Sequence, residues 1–143
     1  MTDGIDLLVQ DHREVAGLFE RYRGAPDDGG AHNIFDRLAT HARMEDQALY
    51  PEVRRVVDGG DDLVDEAVNE VSAIQTIVAH GLATPPPDLA PLVDDLSQRF
   101  AAHTEFVERE MLPPLRESGT DTAALGKALE RARNDVPNTP RPI

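Results

Sequence analysis

Apolar residues recur along this chain at intervals of three and four, with little alternation of period two. The first stretch carries Ile5, Leu8, His12, Val15, Phe19 and Tyr22, the second Ile34, Leu38, His41, Glu45, Ala48 and Leu49. The third carries Val64, Ala67, Val68, Val71, Ile74, Gln75 and Val78, the fourth Leu92, Leu96, Phe100, His103, Val107 and Met111. Such spacing gathers each set on one side of an α-helix. Gly- and Pro-rich breakers separate the stretches, at 24–30, 58–62 and 83–88. Asp61, Asp62 and Asp88 read as N-caps, Pro91 fits a first turn, Pro51 kinks the second helix and Pro113–Pro114 ends the fourth. A shorter fifth helix is expected at about 121–133, before a Pro-rich tail left unstructured. The fold predicted is all-α, an up-down-up-down four-helix bundle at 1–118 with a short helix and tail at 119–143.

Composition narrows the class. A chain of 143 residues suits one domain with a real core. Its net charge of −13 argues against nucleic acid or an anionic membrane as partner, since both are polyanions. With no cysteine there are no disulfides, Fe–S clusters, thiolate zinc sites or cysteine nucleophiles. No apolar run approaches a membrane span, and MTDGIDLLVQ lacks the basic flank of a signal peptide, so a cytoplasmic protein is expected. The oligomeric state stays open.

The chain also contains two weak copies of itself. THARMEDQALYPEVR resembles AHTEFVEREMLPPLR at a constant offset of 62, pairing His41 with His103 and Pro51 with Pro113. VQDHREVAGLF resembles VNEVSAIQTIV at an offset of 59, pairing Asp11 with Glu70. Helices one and two therefore repeat as helices three and four. The halves differ where it matters: His12 is matched by Val71, and Glu45 by Val107.

His12, His41 and His103 sit within apolar stripes, and Glu45, four residues past His41, leaves the same helix face. Singly, each histidine reads as a core residue bonded to a neighbour. Together with an inward carboxylate, and no Lys or Arg on the stripes, they point to a first-row metal site. His80 near a helix C-terminus and His32 beside a loop read as structural. The acidic pairs do not match a calcium loop, and no serine has a histidine partner for nucleophilic catalysis.

DHREVAGLFERY, HARMEDQALYP, EAVNEVSAIQTIV and HTEFVEREMLPPL resemble the four helices of the hemerythrin-like (HHE cation-binding) family, over roughly residues 5–116. The resemblance implies a four-helix bundle holding a non-heme di-iron centre that binds dioxygen or nitric oxide, senses oxygen, redox state or iron, or handles peroxide. It implies His12, His41, Glu45 and His103 as ligands, with Glu45 a bridge. Five residues after His103, Glu108 stands as the candidate second bridge; four after it is Val107. The third helix departs, with Glu70–Val71 where relatives read Glu-His, and Gln75 one turn on. One metal position keeps its ligands and the other is depleted.

Three outcomes fit that half-intact set: one ion, two ions with Tyr22, Tyr50 or Glu70 as a substitute ligand, or none. Of these substitutes Glu70 is expected to face solvent, and Tyr22 to continue the stripe of His12. The expected function is that of a non-heme iron protein binding or sensing a small diatomic or peroxide, and nothing in the sequence marks a substrate pocket for an enzyme. The rival is a metal-free bundle serving as an interaction or regulatory module.

Overall fold

The computed structural model describes residues 2–135, and among these every regular element is helical. Helix α1 spans Gly4–Gly24. Asp28–Met44, Glu45–Leu49 and Tyr50–Val56 run on as one rod, α2. Helix α3 is Gly60–Leu82; Leu89–Phe106, Val107–Met111 and Leu112–Glu117 run on as α4; α5 is Thr122–Asn134. The Pro-rich tail beyond 135 lies outside the described residues. Among the described residues no helix is long and apolar enough to cross a membrane.

The starts follow from side-chain chemistry. Asp3 accepts from the Ile5 and Asp6 amides, Asp27 from Gly30 and Asp121 from Ala124, each satisfying helix N–H groups that have no intrahelical partner. Helix α3 departs from expectation, because its cap is Gly59 at φ 72°, a left-handed conformation that favours glycine. Asp61 instead pairs with Arg54 at 2.9 Å, as does Asp65 at 2.8 Å. Asp88 stands at the cap of α4 but its side chain makes no capping bond.

Pro113–Pro114 were expected to end α4, which instead continues; Pro113, like Pro51, for which a kink in α2 was expected, follows a π-turn. In Glu45–Leu49 the Tyr50 N–H donates to the Glu45 carbonyl, five residues back. In Val107–Met111 the Leu112 N–H does the same to Val107. A proline in a helix removes one donor and crowds the carbonyl four residues earlier, and a widened turn relieves that crowding. Pro51 and Pro113 then occupy the start of a new helical segment, where no donor is missed. Helix α4 accordingly reaches Glu117.

The core has two apolar clusters. One gathers Leu8, Met44, Leu49, Val53, Val64 and Val107, the other Val15, Phe19, Leu38, Ile74, Leu96 and Phe100. Tyr22 belongs to the second cluster, packed with Phe19 and Ala31. Between the clusters, at mid-height, three of the four long helices change character: His12 lies between Leu8 and Val15, His41 between Leu38 and Met44, His103 between Phe100 and Val107.

Helix α5 closes the first cluster. Leu125, Leu129 and Ala132 are buried in it, and Arg43 donates to the Ala132 and Arg133 carbonyls at the end of α5. Helices α1 and α5 cross at Gly4 and Gly126. A Cβ on Gly126 would overlap the Thr2 carbonyl oxygen, and one on Gly4 would stand 2.6 Å from Leu125 Cγ. Leu129→Ala is expected to lower stability by about 2–5 kcal/mol through an internal cavity. Gly126→Ala should cost about 1–3 kcal/mol by prising the crossing apart. Chemical denaturation followed by circular dichroism measures both.

Candidate metal centre

Glu45 is the hub of the middle layer and is fully buried. Its Oε1 accepts from His103 Nε2 at 2.8 Å and from the Tyr50 hydroxyl at 3.2 Å. Its Oε2 faces His41 Nε2 at 3.2 Å and His12 Nε2 at 3.7 Å. Neither approach makes a hydrogen bond, so His12 Nε2, His41 Nε2 and Glu45 Oε2 are buried without a hydrogen-bond partner. Within the group His12, His41 and Glu45 these ligand atoms all lie within 4.8 Å of one another.

Each imidazole is held from behind by a carboxylate. His41 Nδ1 donates to Asp11 at 2.6 Å, His12 Nδ1 to Glu108 at 2.7 Å and His103 Nδ1 to Glu70 at 3.3 Å. A carboxylate only accepts, so each Nδ1 carries the proton. In the neutral rings of His12 and His41 that leaves the Nε2 lone pair turned inward, the arrangement that suits a metal-ligating histidine, whereas His103 donates through Nε2 as well and carries a proton on both nitrogens. Asp11 is itself buried and accepts from Arg37 at 2.8 Å. Phe100 closes the layer edge-on, its ring 5.5 Å from that of His41 and 6.1 Å from that of His12.

The electrostatics call for positive charge at the centre. Burial pushes the His41 imidazolium down, but the Glu45 and Asp11 carboxylates outweigh it and hold the group up to about 10. His103 is raised in the same way, burial opposing and Glu45 prevailing. Burial would lift Glu45, yet His41 and His103 keep it well below the usual carboxylate range. Burial and then the Glu45 charge push the Tyr50 phenol upward, so it stays a donor. Protons fill this demand when no other cation does, and a cation must displace them to bind.

His12, His41 and Glu45 therefore converge as expected. His103 reaches the hub from the other oxygen of Glu45, while Glu108, 38% exposed, meets His12 at Nδ1 and not at the inward nitrogen. Glu70 does not simply face solvent, since it reaches back to His103. Val71 is only half-buried, and Gln75 is exposed. Asp11 is the buried carboxylate of this layer that the sequence did not single out; its repeat partner Glu70 offered the signal, because each precedes by one residue a matched inward position.

A family model described as the Hemerythrin HHE cation binding domain matches residues 3–115. No curated protein and no solved structure matches the chain significantly. Asp11→Asn should weaken cation affinity about 10–100-fold, since outer partners orient ligands and raise their basicity. Competition with a chelator measures the change, and the circular dichroism spectrum should remain that of the wild type.

Proposed function

We propose, for a chain that belongs to the hemerythrin HHE cation-binding family, that His12, His41 and Glu45 hold one non-heme iron ion. Its role is the binding or sensing of a small diatomic or peroxide. One observation carries the reading: three buried atoms of ligand type, two imidazole nitrogens and a carboxylate oxygen, face one another without a hydrogen-bond partner. Two imidazole nitrogens and a carboxylate oxygen fit a first-row metal, and three ligands leave positions open. Iron bound there supplies an open coordination position and a change of oxidation state.

The protein's own groups do the rest. Asp11 and Glu108 keep the rings of His41 and His12 in one orientation, so that the inner nitrogens are the ones to give up protons to a bound ion. His103 and Tyr50 occupy Oε1 of Glu45, so that Oε2 is the oxygen left to ligate. Phe100 and the two apolar clusters keep water from the rings and strengthen every charge interaction in the layer. In the second half of the repeat Val107 is fully buried where Glu45 stands in the first. A second ion would have to rely on His103 and Glu70, which argues for one ion and against carriage by a metal pair. The same reading takes α1–α4 as an up-down-up-down bundle of the hemerythrin type.

A metal-free regulatory bundle is the second reading. It is favoured by the engagement of Oε1 with His103 and Tyr50, and by a His41 proton able to neutralise the hub. Elemental analysis of protein made in iron-supplemented medium, without a metal-affinity tag, separates the two. We expect iron close to one per chain and a lower Tm after chelation, by mass action on the folded state. The double variant His41→Ala, Glu45→Ala should hold no iron and melt alike with or without chelator. Unchanged metal content and Tm in that variant would end the metal reading.

A further inference from the structure

Beside the polar layer, between α2, α3 and α4, lies a cavity of about 140 Å³ with an almost wholly apolar lining. Its inner wall is formed by the rings of His41, His103 and Phe100, and its sides by Leu38, Val71 and Ile74. The exposed members of its lining, Ala39, Gln75, Ala79 and Leu82, mark the mouth. The void has a cause in the repeat. His12 of the first half projects an imidazole into the centre, whereas its counterpart Val71 has no ring, remains half-buried and leaves space.

We propose that this cavity binds a small uncharged apolar molecule, up to the size of one six-membered ring. An apolar cavity of about 150 Å³ stays dry and takes benzene or xenon, because water finds too few polar partners there. The cavity is also several times the roughly 30 Å³ that a single water occupies, so a diatomic would leave most of it empty. A charged ligand would be stranded. Of the imidazole nitrogens in the wall, both of His103 and Nδ1 of His41 are already bonded, and Nε2 of His41 is turned toward Glu45. Next to the mouth, a polar cleft containing Arg43, Asp46 and Ser72 shares Val71 and Gln75 with the cavity. It provides a polar approach to an apolar pocket. The pocket is formed by side chains alone, so this inference does not depend on an ion at the centre.

The test is a benzene titration of the full chain, as purified and again after chelation, read from the methyl resonances of Leu38, Val71 and Ile74. Saturable shifts confined to those methyls are expected in both forms. Val71→Phe fills the cavity, and Ala79→Met, at an exposed helical position that should not impair folding, obstructs its mouth. Each should weaken benzene binding by about tenfold or more. Absence of saturation up to the solubility of benzene overturns the proposal, as does wild-type binding by both folded variants. A chelated protein that still binds benzene supports the pocket whatever elemental analysis says of the metal.

Discussion

Burying the carboxylate of Glu45 at the centre of an aliphatic bundle is the constraint to which the surrounding structure answers. An ionised carboxylate removed from water carries a penalty of several kcal/mol unless charge and donors surround it. Here His103 and Tyr50 hold one oxygen, while His41 and His12 face the other. Their far nitrogens need acceptors in turn, which Glu70, Asp11 and Glu108 supply, and Asp11 calls on Arg37. The polar layer thus extends outward from one atom pair until it reaches partly exposed groups that water can screen. The two apolar clusters lie on either side of it.

The repeat explains why the layer is lopsided. Asp11 bonded to His41 in one half has its counterpart in Glu70 bonded to His103 in the other. The backing pairs survive in both halves, but the inward groups do not, since Val71 and Val107 replace an imidazole and a carboxylate. Val107 is absorbed into the core, fully buried. Val71 is not, and the cavity beside it records the missing ring. One half of the bundle is therefore arranged around charge and the other around apolar space, at the same height.

Much of this was legible in the sequence, where the three-four spacing gave the helices and the inward histidines with Glu45 gave the centre. What escaped has physical reasons. Asp11 and Glu70 lie about 100° around their helices from the inward positions, where a carboxylate is ordinarily solvated, and only the reach of an imidazole edge brings them in. Tyr22 continues the stripe of His12, but ten residues at 1.5 Å each carry it about 15 Å along the axis, away from the centre and into the other cluster. The fifth helix follows the repeat and has no counterpart in it, and Leu125 and Leu129 pack with the first half. Pro113–Pro114 read as a stop, because proline ends a regular helix, and the widened turn before it is not regular.

Those widened turns have a bearing on helical phase. His41, Glu45, Leu49, Val53 and Val57 are all buried, as are His103, Val107, Met111 and Leu115, each row advancing only by fours. In a regular helix a step of four overshoots a full turn by about 40°, so four such steps would swing a row through roughly 160°, from core to solvent. The π-turns take up that drift. Each works as a splice that lets a histidine-bearing segment and an aliphatic segment share one rod while both look inward. Shortening either splice by one residue would leave the rod helical and rotate everything beyond it by about 100°, carrying the buried row off the core.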